Sequence, residues 1–336
     1  MASTPSDIAM HINTTNQTTK DTVAGKSFVL AHLSDPHLAR VDHIKRSDLL
    51  NKRLLGYLKW KLKRQGEHSD ALLTILYKDL QRTKPDHIAI TGDLTQLGLP
   101  IEFETARDWL QTLGTENNVT VIPGNHDIYV KTDWHETFAH WLEYMVADLQ
   151  DQPARSVTSL DGLFPTLRIR ERIALIGINT AYPSGLHLAT GKIDGAQLKK
   201  LEIILKRLSG KGLFRIILIH HPPVQNIVSR RRSLTDAASL RIMLERYGAE
   251  LVLFGHAHKT SRSNLDTPSG LIPAMGAPSA SSLSHKKERR SRYFLYKITS
   301  TAQGWKVHLE ERLFSLDLYR FVDGRQQDFF FPAEAN

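Results

Sequence analysis

At 336 residues with 41% hydrophobic residues the chain can bury the core of one large domain, and no apolar stretch reaches the roughly 20 residues of a membrane-spanning helix. The absence of cysteine excludes disulfides and thiolate metal sites, so any metal must be held by oxygen and imidazole nitrogen. A formal net charge of +9 and a pI of about 9.6 favour anionic partners such as nucleotides, nucleic acid or acidic lipid.

Met1–Lys26 is rich in Ser, Thr, Asn and Asp and lacks the basic start and apolar run of a secretory signal, so it reads as a disordered polar leader. Short apolar runs at Ser27–Leu33, His87–Thr91, Val119–Ile122, Ile173–Ile178, Phe214–Ile219 and Leu251–Phe254 each end in Gly, Pro, Asp or His, and predict buried strands. Apolar residues recurring three and four apart predict helices over Leu72–Leu80, Phe103–Leu113, Trp134–Leu149, Leu198–Leu208 and Leu240–Tyr247. This alternation of strand and helix argues for an α/β sandwich. After His258, Gly-, Pro- and Ser-rich pieces alternate with Tyr293–Ile298 and Trp305–Leu309, which are expected to be antiparallel strands. The domain is expected over 27–315. A C-terminal tail over 316–336 carries Phe329-Phe330-Phe331, a cluster expected to pack on the domain.

A basic insertion at about 41–66 interrupts this pattern. Between Arg40 and Gly66 stand nine basic residues against Asp42 and Asp48. Leu50, Leu54, Tyr57 and Leu58 fall on one helical stripe, with Trp60 and Leu62 nearby. Such a helix either lies on an anionic membrane surface or caps the fold with its leucines inward and its lysines in water.

Five short stretches place metal-binding side chains just after predicted strands. Asp35 and His37 flank Pro36 and can aim at one point. Asp93 follows Gly92, whose flexibility permits a tight turn, and its carboxylate can bridge two cations. In Gly124-Asn125-His126-Asp127 the Asn125 amide oxygen can ligate, His126 can face substrate, and Asp127 can fix the His126 tautomer. His220, rather than His221, is the expected ligand where the next strand ends. His256 and His258 alternate across the small Ala257. Carboxylates, imidazoles and one carboxamide suit two divalent metals, with manganese, iron, zinc and cobalt all compatible.

The order D-x-H, GD, GNH(D/E), H and GHxH, here Asp35-Pro36-His37, Gly92-Asp93, Gly124-Asn125-His126-Asp127, His220 and Gly255-His256-Ala257-His258, closely resembles the calcineurin-like metallophosphoesterase superfamily. The likeness spans about Phe28 to Lys259. It implies a four-layer α-β-β-α sandwich of two mixed sheets with the metals at the strand ends. It also implies one metal on Asp35, His37, Asp93 and His258, and a second on Asp93, Asn125, His220 and His256, with Asp93 as the bridge. A hydroxide between the metals would attack phosphorus in line, His126 would serve the leaving oxygen, and Asp127 would support it.

Within the superfamily, Leu251–His258 followed by Met275–Ser281 resembles bacterial class III cyclic-nucleotide phosphodiesterases, which implies cleavage of a phosphodiester. If the basic insertion binds membrane, the alternative is a membrane-associated pyrophosphatase acting on a UDP-diacylglucosamine-type lipid A precursor. Nuclease or phosphomonoesterase activity is a further alternative. Against nucleic-acid binding, the basic residues are not interleaved with aromatics in a binding module, and no helix-turn-helix or zinc-finger spacing is present. The basic runs Arg230-Arg231-Arg232 and Lys286-Lys287-Glu288-Arg289-Arg290 are expected to be solvated loops, with phosphate contact as the alternative. The expected location is cytoplasmic, with peripheral contact at the inner face of the membrane only if the basic insertion binds it.

Overall fold

The computed structural model describes residues 26–38, 44, 53–54, 56–58, 69–148, 157–268 and 270–333. The expected leader, except Lys26, and most of the basic insertion lie outside the described residues.

In order the chain forms β1 (Ser27–Leu33), α1 (Asp70–Thr83), β2 (His87–Ile90), α2 (Pro100–Leu113) and β3 (Val119–Val121). A 3-10 turn (Phe138–Trp141) then runs into the short α3 (Leu142–Met145), followed by β4 (Thr166–Arg170), β5 (Ile173–Ile178), α4 (Gly195–Leu208), β6 (Phe214–Ile219), α5 (Ala237–Tyr247) and β7 (Leu251–Phe254). The rest is strand: β8 (Ser261–Thr267), β9 (Gly270–Gly276), β10 (Arg292–Thr301), β11 (Gly304–Ser315) and β12 (Arg320–Pro332).

These strands make two six-stranded mixed sheets, ordered β12-β11-β10-β1-β2-β3 and β4-β5-β6-β7-β9-β8. β1, β2 and β3 run parallel, as do β5, β6, β7 and β9, so their C-terminal ends share an edge within each sheet. Strands β5 and β7 are apolar throughout, and β6 is apolar apart from Arg215, which pairs with Glu250, because both of their faces are covered. Leu175, Ile216, Leu218 and Leu253 join the cluster that also holds Leu30, Leu33 and Ile90 of the first sheet. Their neighbours Ile176, Ile217, Ile219, Val252 and Phe254 point the other way, onto Leu201 and Leu205 of α4 and Leu240 and Leu244 of α5. Leu72, Leu76 and Leu80 of α1 and Phe103, Ala106 and Leu110 of α2 pack with the first sheet. This is the sandwich that the alternating pattern implies.

Several expectations need correction. The helix expected over Trp134–Leu149 is only the 3-10 turn and the single turn α3. Its apolar residues Trp134, Phe138, Trp141 and Met145 are buried as the spacing required. The helix ends early because the buried Arg168 guanidinium takes the carbonyls that would continue it, with Nε donating to Val146 O at 2.7 Å and Nη2 to Glu143 O. Strands β4, β8 and β9 went unread. β8 (SRSNLDT) is a polar edge strand, and β9 carries Gly270, Pro273 and Gly276, which disguise it. The segment after Asp317 is the 13-residue edge strand β12, and its Phe331 ring meets Phe214 edge-on at 5.2 Å. Among the described residues no helix is long and apolar enough to cross a membrane.

Candidate metal centre

Each motif sits just past the C-terminal end of a parallel strand. Asp35 and His37 follow β1, Asp93 follows β2, Asn125 to Asp127 follow β3, His220 follows β6, and His256 and His258 follow β7. Face-to-face packing brings these ends of the two sheets to one crevice, where irregular backbone is free to present side chains. The turns are sharp. Asp35, His37, Asp93, His256 and His258 all have positive φ, between 46° and 64°, which costs on the order of 1 kcal/mol or more at a non-glycine residue. Packing forces the same economy on the glycines, since a Cβ on Gly92 or Gly124 would overlap the facing loop and His220.

The backbone brings all seven expected ligands together. Ligand atoms of Asp35, His37, Asp93 and His258 lie within 4.8 Å of one another, and so do those of Asp93, His220 and His256, so that Asp93 is common to both groups. Asn125 Oδ1 is 3.2 Å from His220 Nε2. His37 Nε2 and His258 Nε2 are 3.2 Å apart, and His258 Nε2 is 3.2 Å from Asp35 Oδ1.

Backbone carbonyls orient the imidazoles. His37 Nδ1 donates to Thr95 O (3.0 Å), His126 Nδ1 to Gln96 O (2.6 Å), His220 Nδ1 to Thr91 O (2.6 Å) and His256 Nε2 to Arg232 O (2.9 Å). A carbonyl can only accept, so in each neutral ring the other nitrogen carries a lone pair. That nitrogen on His37 and His220 approaches carboxylate oxygen at 4.0 and 3.3 Å. Asp35 Oδ1 and Asp93 Oδ2 are buried without a hydrogen-bond partner. Convergent lone pairs with too few protons between them are the donor set that divalent cations satisfy, so the residues fit the metals expected of them.

The electrostatics agree. Burial opposes ionisation of Asp93, but the imidazoles of His220, His126 and His37 outweigh it and hold the carboxyl well below its ordinary range. Burial also opposes charge on His220, yet Asp93 beside it raises that imidazole to about 9, which marks a position where positive charge is favoured. For His256, burial and then His221 and His220 depress the imidazole well below its usual value, which keeps it a neutral ligand. His221 stands behind, with Nδ1 2.7 Å from Thr180 Oγ1 and its ring 4.4 Å from that of His256.

Neither ligand group includes His126, which is half-buried beside His37 at 4.9 Å between ring centroids. The expected role of Asp127 needs correction. Its carboxylate accepts from Asp93 N (2.9 Å), Gly124 N (2.8 Å), Thr95 N (2.8 Å) and Thr95 Oγ1 (3.0 Å), and it is the Gln96 carbonyl that sets the His126 tautomer. Asp127 thus ties two loops together. Burial and the charge of Asp93 push it up to about 7 against those donors.

Thr91, Thr95 and Gln96 carry no signature in the sequence, because each orients a ring through its backbone oxygen; Arg232 orients His256 in the same way, within a run expected to be solvated. Arg232 is also no solvated cation, since its Nη2 donates to His256 O at 2.5 Å; Arg230 and Arg231 are exposed.

Residues 28–260 match the family described as calcineurin-like phosphoesterase. The chain is 25% identical over 243 residues to a cAMP/cGMP dual specificity phosphodiesterase of Mycobacterium tuberculosis, covering 70% of this chain and 63% of that protein. It is 26% identical over 191 residues to a probable cyclic nucleotide phosphodiesterase of Synechococcus, covering 55% of this chain and 62% of the relative. Against a probable glycerophosphodiester phosphodiesterase of Arcobacter nitrofigilis the identity is 27% over 204 residues, covering 56% and 62%. The chain therefore spans a little under two thirds of the length of these relatives. In fold it is similar to a dimetal phosphatase of Danio rerio, with a TM-score of 0.53 at 12% identity over 88% of this chain and 98% of that one. It is likewise similar to a purple acid phosphatase of yellow lupin, with a TM-score of 0.57 at 10% identity over 91% and 54%.

Proposed function

The chain belongs to the calcineurin-like phosphoesterase family, and from that premise we propose that it hydrolyses phosphodiesters at a centre built around Asp93. The observation that carries this reading is the pair of ligand groups sharing Asp93, with His126 set beside them. Two divalent metals, one on Asp35, His37, Asp93 and His258 and one on Asp93, Asn125, His220 and His256, would offset charge on the phosphoryl oxygens and acidify water.

The chain's own groups do the rest. His126 keeps its Nδ1–H on Gln96 O, so as an imidazolium it would carry at Nε2 the proton that the departing oxygen takes, and would be left as the neutral Nδ1–H ring. Asp127 holds the backbone of Asp93 and Gly124 in register, and with it the bridging carboxylate. Cyclic-nucleotide and glycerophosphodiester phosphodiesterases among the relatives support a diester as substrate.

A second reading, a lipid-linked diphosphate, draws support from Leu54 and Leu58, which are 43% and 44% exposed on a helical stretch bordering the loop of Leu97 and Leu99. The sequence stripe placed these leucines with Tyr57, but the structure buries Arg53 and Gly56 instead and turns both leucines outward. With manganese-loaded protein, rates on cyclic AMP, bis(4-nitrophenyl) phosphate, 4-nitrophenyl phosphate and UDP-diacylglucosamine test both readings. The proposal expects the diesters to exceed the monoester. Preference for 4-nitrophenyl phosphate would overturn it, and preference for UDP-diacylglucosamine would select the second reading.

A further inference from the structure

The carbonyl that fixes His126 belongs to an irregular loop, residues 95–99, between β2 and α2. This loop is pinned from two directions. From the first turn of α2, fully buried Glu102 accepts from Gln96 N (3.2 Å), Leu97 N (2.9 Å) and Leu99 N (2.9 Å). From the basic insertion, buried Arg53 donates Nε to Leu97 O (3.0 Å) and Nη2 to Gly98 O (2.5 Å). Glu102 thus takes the loop's donors, and Arg53 takes the next acceptors after Gln96 O. The rigid fork of a guanidinium suits two successive carbonyls, whereas an ammonium acts as a point donor.

The same helical stretch makes a second approach. Gly56 packs so closely that a Cβ there would overlap the Tyr129 hydroxyl and crowd Leu97, and Tyr57 packs against Leu97 and Leu99. Tyr129 in turn lies 5.6 Å from the His126 ring, centroid to centroid. The insertion therefore reaches His126 both through the loop that carries Gln96 O and through the Tyr129 ring.

We infer that Arg53 is a positioning residue for His126: by holding the Leu97 and Gly98 carbonyls it keeps Gln96 O where it fixes the His126 tautomer and aims Nε2 at the leaving group. The inference rests on His126 acting as the acid in the function proposed above. It gives the insertion a part in the reaction distinct from any contact with membrane.

The test compares full-length Arg53→Ala and Arg53→Lys with the parent and with His126→Ala, all manganese-loaded, on diesters with nitrophenyl and alkyl leaving groups. Arg53→Ala should lose about ten- to hundredfold in kcat, the scale of a slightly misplaced catalytic group, with KM little changed. The loss should be steeper for alkyl leaving groups, absent when Arg53→Ala is added to His126→Ala, and partly restored by lysine. In the zinc-loaded protein, imidazole nitrogen NMR of the neutral ring, the form left once Nε2 has given up its proton, should find His126 as the Nδ1–H tautomer in the parent and as a mixture in Arg53→Ala. A uniform loss that multiplies with that of His126→Ala, or an unchanged His126 spectrum in folded Arg53→Ala, would overturn the inference. If the parent hydrolyses no diester, the proposed function fails and the His126 spectrum alone decides the role of Arg53. Should Arg53→Ala not fold, Arg53→Lys and Arg53→Gln carry the same comparisons.

Discussion

At the scale of single residues, the proposed function gives Asp93 and His126 different parts, and their replacements separate them. Asp93 is shared by both ligand groups, and its Oδ1 also accepts from His126 N at 2.7 Å. Asp93→Asn should lower bound metal, read by elemental analysis, and abolish turnover together; full metal content with normal turnover would reduce Asp93 to a turn residue. His126→Ala should keep both metals yet lose about 10²- to 10⁴-fold in rate, the range of general acid–base catalysis. That loss should be greatest on alkyl esters, and equal loss on nitrophenyl and alkyl esters would contradict an acid role. That these side chains converge was legible from residue type and order alone. Their orientation was not, because Thr91, Thr95, Gln96 and Arg232 work through carbonyls that any residue possesses.

At the scale of elements, apolar runs were legible wherever a strand is buried on both faces, as in β5, β6 and β7, and in β6 and β7 the run ends in a histidine motif. Pattern failed where a strand is exposed or broken by Pro and Gly, as in β8 and β9, and where Arg168 cut short a helix that apolar spacing alone would extend. The α2 start shows a different dependence on context. Glu102 belongs to the helix by sequence, yet its carboxylate serves the 95–99 loop that carries Gln96. Burial raises its pKa from 4.5 to about 7 despite three backbone donors. Between those values the folded state binds the proton and the unfolded state does not. The stability Glu102 contributes is therefore fully present below about pH 4.5 and is lost as pH rises through about 7, by up to about 3 kcal/mol. Urea unfolding of Glu102→Gln and of the parent from pH 4.5 to 8 should show the parent losing ground relative to the variant as pH rises. Parallel curves would refute that assignment.

At the scale of the whole molecule, two sheets meet so that strand ends from both bring candidate ligands to one crevice, and the candidate centre lies at the seam between them. Asp35, Asp93 and Asn125 come from the first sheet, and His220, His256 and His258 from the second. Cations held there should bind the folded chain in preference to the unfolded one and so stabilise it by linkage. Chelation should lower the melting temperature of the parent and leave that of Asp93→Asn nearly unchanged; an equal drop in both would locate the stabilising metal elsewhere. The most direct test of the centre itself is a manganese titration of chelator-stripped protein that follows bound metal and bis(4-nitrophenyl) phosphate hydrolysis together. The proposed function predicts two ions per chain, with hydrolysis rising as the second site fills. One ion per chain at full activity, or two ions with no hydrolysis, would contradict it.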